Sequence, residues 1–290
     1  MAFNIQTFKT RALTAVVFVI VMLAGLLVNQ WTFLLLFSII HFGCWFEYQK
    51  LLGMIDKDYQ KITPFHKYGV MVLGWSFMLW MSNGLSLGTI TLDAIGLWLT
   101  LILAIALPLV EILLSKELFI KNIGYSVLGL LYISLSWGMM LNLRSIHSDT
   151  FFSNIDIGLL IPLLTIASIW INDTMAYIVG SFIGKTPFSK ISPKKTWEGT
   201  LGGAILAIAT VTLVGYYALG LTDYVSLIVI SAIAAVVGTA GDLLESKIKR
   251  MAGVKDSGQL MPGHGGYLDR FDSLLLATPF VWLYVRYFLL

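Results

Sequence analysis

Apolar residues run along this chain in nine long blocks, near 12–28, 31–46, 69–81, 94–114, 123–143, 157–183, 198–220, 224–244 and 272–290. Runs of this length predict helices rather than strands, and about 20 apolar residues suffice to cross a bilayer. The expected fold is therefore all-α, a polytopic membrane protein of about nine transmembrane helices. Composition agrees: of 290 residues, 58% are apolar and only 12% charged, and the mean hydropathy is +0.84. An ordinary soluble domain carries about 25% charged residues, so a soluble domain, a disordered chain and a coiled coil are all excluded. The first block follows Lys9 and Arg11, but it is longer than a signal-peptide core and no A-x-A site follows it, which predicts a retained anchor.

The charges between the blocks give an orientation. The amino terminus and every second loop after it hold Lys9, Arg11, Lys50, Lys57, Lys61, Lys67, Lys116, Lys121, Lys185, Lys190, Lys194, Lys195, Lys247, Lys249, Arg250, Lys255 and Arg270, which is 17 of the 19 basic residues. The opposite loops hold only Arg144, and Arg286 lies inside the last block. Because basic residues stay on the cytoplasmic side, the amino terminus and both long polar loops near the carboxy end are expected there, at the cell membrane. Five spans fill 1–156, and four more fill 157–290 with cytoplasmic loops at 184–197 and 245–271. A formal net charge of +3 gives no reason to expect nucleic acid as a partner, and the single cysteine, Cys44, excludes a disulfide framework or a cysteine zinc site.

The first five blocks carry few polar residues. Glu111 reads as an interfacial carboxylate close to Lys116. After residue 165 the character changes. Asp173 sits well inside the sixth block, where a carboxylate costs about 2.5–3.5 kcal/mol and so must face protein or water. The loop 184–199 holds four lysines and no acid before Glu198. Its Ser192-Pro193 turn precedes Lys194, Lys195 and Thr196 at the start of a helix, whose free N–H groups add to the lysine charges as an anion site. Gly199, Gly202 and Gly203 then allow close helix packing. Asp242 closes the eighth block, while Asp269 and Asp272 open the ninth. Carboxylates converging at a membrane edge repel unless a cation joins them, and open oxygen ligands suit Mg²⁺ bridging to phosphate. Lys249, Arg250, Lys255 and Arg270 interleave with these acids, as an anionic substrate on a metal requires.

The run from Ser246 to Asp272 resembles the signature of the phosphatidate cytidylyltransferase (CDP-diacylglycerol synthase) family. It matches at Ser246, Lys249, Arg250, Lys255, Asp256, Gly258, His264, Gly265, Gly266, Asp269, Arg270 and Asp272. The segment from Ser192 to Gly199 resembles a second run common in that family, and Asp173 supports it. Met261 and Tyr267 stand where smaller or plainer aliphatic residues are usual. The resemblance implies transfer of CMP from CTP to phosphatidate, with Mg²⁺ essential and room for a second cation. It implies Asp242 and Asp269, with Asp272 beside them, at the metal. Ser192, Lys194, Lys195, Thr196, Ser246, Lys249, Arg250, Gly265 and Gly266 are the candidates to cradle phosphates. Asp173, Lys255, Asp256, His264 and Arg270 are candidates for the chemistry, with His264 read chiefly as ordering its loop. The resemblance also implies a homodimer. A groove opening between the last four helices would let the acyl chains stay in the bilayer. A CTP-dependent lipid alcohol kinase and a CDP-archaeol synthase share a related motif. A transporter is the alternative from another class, but it would scatter polar residues through both halves of the chain.

Overall fold

A computed structural model describes residues 5–114, 120–146, 156–259 and 265–290. The described residues are mostly helix, with one two-stranded ribbon. The helices are α1 (Ile5–Leu27), α2 (Gln30–Ile55), α3 (Pro64–Met81), α4 (Leu92–Leu114), α5 (Ile120–Gly129), α6 (Leu135–Arg144), α7 (Ile157–Ile183), α8 (Trp197–Ala218), α9 (Tyr224–Met251) and α10 (Leu268–Tyr284). A π-helical turn, Leu130–Ser134, joins α5 and α6 into one apolar rod. Six helical segments among the described residues are long and apolar enough to cross a membrane: α2, α4, the α5–α6 rod, α7, α8 and α9. The protein is a multi-pass membrane protein.

α2, α3 and α9 extend beyond their apolar blocks into polar sequence. α2 runs on to Ile55, past the block end at 46, which places Glu47, Tyr48 and Gln49 on a helix. Its start is fixed by an Asn29–Thr32 capping box, and Gln49 Nε2 donates to Lys67 O at 2.8 Å near its far end. α3 begins at Pro64, whose missing N–H is harmless in a first turn, behind the Thr63 cap. α9 continues two turns past 244, to Met251.

By packing, the chain forms two compact units, residues 1–141 with 251–270 and residues 142–250 with 271–290. The hydropathy pattern divides the chain at 156 and keeps the 245–271 loop with the carboxy-terminal half, whereas packing places 251–270 in the first unit. In the first unit, α3 and α4 approach so closely that a Cβ on Gly96 would lie 2.1 Å from the Trp80 backbone nitrogen. Phe33, Phe37, Trp45 and Trp137 are fully buried there. The π-helical turn presents Ser134 to the Trp45 indole N–H at 3.0 Å. Glu111 is buried. It accepts from Thr63 Oγ1 at 2.7 Å and lies 3.4 Å from His66 Nδ1, while Lys116 falls outside the described residues.

In the second unit, α7 and α8 meet along a stripe of glycines. A Cβ on Gly203 would lie 2.8 Å from Asn172 O, and one on Gly199 would lie 2.7 Å from Ala176 O. α9 and α10 meet in the same way at Gly241, where a Cβ would lie 2.5 Å from Asp272 O. Leu143, Ile157, Ile161, Leu227, Ile230, Val281 and Val285 form the apolar core of this unit. With glycine at the crossings the backbones come close enough to bring polar side chains of different helices together.

Candidate active site

α7, α8 and α9 border a cavity of about 340 Å³ in the second unit. Asp173 enters it from α7, Lys194, Lys195 and Thr196 from the start of α8, and Thr239 and Asp242 from α9. Asp173 thus meets polar neighbours, as its place in an apolar helix demands. Asn172 Nδ2 lies 3.4 Å from both Asp173 Oδ1 and Thr239 Oγ1, and the Thr239 hydroxyl donates onward to Ala235 O at 2.8 Å. The expected groove between the last four helices is matched in part by this cavity, whose lining comes from the first three of them.

The lysine loop is folded, not merely solvated. Glu198 accepts from Lys185 N at 3.1 Å, Thr186 N at 3.1 Å and Thr186 Oγ1 at 2.8 Å, tying the entrance of the loop to its exit. Trp197 N donates to Thr186 O, Phe188 N to Lys195 O, and the Phe188 and Trp197 rings meet edge to face. Lys195 N donates to Ser192 O across the Ser192-Pro193 turn. Thr196 caps α8 by accepting from Gly199 N at 3.2 Å. Lys194 and Lys195 therefore stand at a helix amino terminus, where the dipole adds to their charge.

The extension of α9 creates the acidic centre. On a continuous helix Asp242, Glu245 and Lys249 fall at i, i+3 and i+7, along one face. One carboxylate oxygen each from Asp242, Glu245 and Asp272 lies within 4.8 Å of the others. Lys195 pairs with Asp242 and Lys249 with Glu245, and Ser246 Oγ donates to Asp242 Oδ1 at 3.3 Å. Glu245 is only 1% exposed. With Asp173 nearby, four acids stand close to two ammonium groups, the Glu245–Lys249 pair buried and the Asp242–Lys195 pair partly open. Hard carboxylate oxygens in such a cluster fit a hard divalent cation such as Mg²⁺.

The described signature residues from Lys255 to Arg270 fall into the first unit. Asp269 Oδ2 accepts from Ser257 N at 2.8 Å and from Gly266 N at 2.7 Å, and lies 2.8 Å from Ser257 Oγ. Gly265 adopts φ +81°, a conformation open to glycine, with Asp269 against it. Tyr267 packs on Gly43, and burial holds its phenol above its ordinary pKa. Lys255, Asp256 and Arg270 are exposed, as is Arg250 in the last turn of α9. His264 lies outside the described residues, as does Met261. Of the three acids expected at a metal, Asp242 and Asp272 come together, while Asp269 belongs to the other unit.

Two further acids lie outside the apolar blocks and the expected metal set. Glu245 follows the end of the eighth block at 244, although its i+3 spacing from Asp242 and i+4 spacing to Lys249 signal one face. Glu47 lies just past the second block, which ends at 46.

A sequence model of the cytidylyltransferase family matches residues 9–288. The phosphatidate cytidylyltransferase of Bacillus subtilis (strain 168) is 32% identical over 287 residues, covering 97% of this chain and 98% of that protein. The phosphatidate cytidylyltransferase of Synechocystis sp. is 44% identical over 132 residues, covering 46% of this chain and 45% of its own length. That of Haemophilus influenzae is 40% identical over 138 residues, covering 46% and 48%. A match running almost end to end, together with a full-length relative, leads to one conclusion: the chain belongs to the cytidylyltransferase family.

Proposed function

We propose that this protein transfers CMP from CTP to phosphatidate, forming CDP-diacylglycerol and pyrophosphate at the cytoplasmic face of the membrane. The observation that carries the reading is the cavity of about 340 Å³ that Lys194 and Lys195, at the positive end of α8, line together with Asp173 and Asp242, Lys195 being paired with Asp242. It joins an anion site to an acidic site, which is the pairing that nucleotidyl transfer to an anionic lipid requires. The segregation of basic residues supports the cytoplasmic assignment.

In the reaction a phosphatidate oxygen forms a bond to the α-phosphorus of CTP as the bond between that phosphorus and the α–β bridging oxygen breaks. The nucleophile is already an anion, so no side chain has to remove a proton from it. The work left to the protein is to position two anions and offset their repulsion. Lys194 and Lys195 do this from the loop, and the α8 N–H groups add to them. Asp242, Glu245 and Asp272 would hold Mg²⁺, with Lys249 steadying Glu245 and Ser246 steadying Asp242. Bound there, Mg²⁺ supplies charge neutralisation for phosphate oxygens. Asp173, fixed through Asn172 and Thr239, keeps the membrane side of the cavity polar. The acyl chains remain in the bilayer while the head group enters.

The test is incubation of the purified protein with CTP labelled at the α- and γ-phosphates, Mg²⁺, and either phosphatidate or a polyprenol. Lipid-linked CMP from phosphatidate is expected. Transfer of the γ-phosphate alone to the polyprenol would establish a lipid alcohol kinase instead, and absence of turnover with both lipids would refute both enzyme readings.

A further inference from the structure

Glu47 projects from the polar end of α2, and its carboxylate is where the signature loop begins its return to helix. Glu47 Oε1 accepts from Tyr267 N at 2.9 Å, and Oε2 accepts from Leu268 N at 2.9 Å and Ser257 Oγ at 2.7 Å. Tyr267 and Leu268 are the residues at which α10 starts, so their N–H groups are among those a helix leaves without internal partners. A capping acceptor normally comes from the residue just before the helix. Here it comes from a side chain more than 200 positions away in sequence.

The glycines of the signature fit this carboxylate. A Cβ on Gly258 would lie 2.1 Å from Glu47 Oε1, and one on Gly266 would lie 2.2 Å from it. One turn earlier on α2, Gly43 leaves room for the Tyr267 ring, whose edge would lie 2.3 Å from a Cβ there. Gly43 and Glu47 therefore receive Tyr267 together, ring on one and N–H on the other. Ser257, 1% exposed, links the same carboxylate to Asp269, since its Oγ lies 2.7 Å from Glu47 Oε2 and 2.8 Å from Asp269 Oδ2.

We infer that Glu47 is a positioning residue for nucleotidyl transfer: it ties Ser257 to Tyr267 and Leu268 and fixes where α10 begins. The register of its first turns, which carry Asp269, Arg270 and Asp272, follows from that start. The inference rests on the proposed cytidylyltransferase activity. Its energetic basis is a charge-assisted set of three hydrogen bonds to one carboxylate, two of them from a helix amino terminus.

The experiment measures CDP-diacylglycerol formation by wild type, Glu47→Gln, Glu47→Ala, Gly258→Ala and the Glu47→Ala/Gly258→Ala double variant, with thermal stability of each in detergent. Gln keeps an acceptor for Leu268 N and Ser257 Oγ but turns an NH₂ toward Tyr267 N. It is expected to lower kcat about tenfold, and Ala about a hundredfold, the scale of an ångström-level misplacement. KM for phosphatidate should stay within twofold, because Glu47 holds the loop rather than the lipid. Gly258→Ala pushes the carboxylate aside and should behave like Glu47→Ala, with the double variant no worse than either single. A Glu47→Ala enzyme with kcat within twofold of wild type, losses that only track lost thermal stability, or additive losses in the double variant would each overturn the inference. An inactive wild type would overturn the activity itself, a separate outcome.

Discussion

Replacing Gly241 by alanine tests the acidic centre without touching any of its carboxylates. The new Cβ would lie 2.5 Å from Asp272 O, 3.0 Å from Leu276 Cβ and 3.1 Å from Ser273 Cα. Carbon–oxygen contacts between packed helices settle at about 3.3–3.6 Å, so α9 and α10 must separate by about 1 Å. Those three neighbours are backbone atoms or the first atom of a side chain, so a rotamer change cannot absorb the clash. The oxygens of Asp242, Glu245 and Asp272 now lie within 4.8 Å of one another. One Mg²⁺ at about 2.1 Å from each ligand requires them within about 4.2 Å. The native gap closes by a few tenths of an ångström of side-chain motion, and a gap wider by about 1 Å does not. Gly241→Ala is therefore expected to lower kcat by about a hundredfold and to raise the Mg²⁺ concentration for half-maximal rate at least tenfold, with an overpacking cost of about 1–3 kcal/mol in stability. Rates of CDP-diacylglycerol formation across a Mg²⁺ titration, on protein shown by size exclusion to be folded, make the measurement. A variant with wild-type rate and wild-type Mg²⁺ dependence would refute the reasoning.

Asp242→Asn, Glu245→Gln and Asp272→Asn should each reduce turnover at least a thousandfold while the protein remains in the membrane, as CTP assays on purified variants would report. Removing divalent cations with a chelator should abolish turnover, and restoring Mg²⁺ should recover it in full. Glu198→Ala removes the acceptor shared by Lys185 N, Thr186 N and Thr186 Oγ1, so the loop carrying Lys194 and Lys195 loosens. KM for CTP is expected to rise five- to twentyfold, read from initial rates at saturating phosphatidate. Asn172→Leu removes the bridge between Asp173 and Thr239 and should cost about 1–3 kcal/mol in stability, seen as a lowered Tm in detergent.

Hydropathy alone made the helices legible, since a chain solvated by lipid writes its spans as unbroken apolar runs. Their ends were less so. α2 and α9 run on through polar residues because side-chain partners, Lys67 O for Gln49 between helices and the i,i+4 Lys249–Glu245 pair within α9, stabilise turns that hydropathy leaves outside. Glu245 was lost to that cause. The lysine loop, Asp173 and Asp242 were legible because charge is rare in such a chain and its position is therefore informative. Glu47 carries no such signal: it stands outside the apolar blocks and the matched motifs, and only the fold sets it against Tyr267 and Leu268. Glu111 shows the same limit, since pairing with Thr63 and His66 is a contact between helices that no local pattern encodes.

The central claim is that Asp242, Glu245 and Asp272 form one divalent-cation site. Electron paramagnetic resonance of Mn²⁺ titrated into the purified protein, with Mg²⁺ as competitor, tests it most directly. One tight site per chain is expected, displaced by Mg²⁺ and weakened at least a hundredfold in Glu245→Gln, the acid that the sequence did not single out. Tight Mn²⁺ binding that survives intact in Glu245→Gln and in Asp272→Asn, or a wild type that binds none, would contradict it.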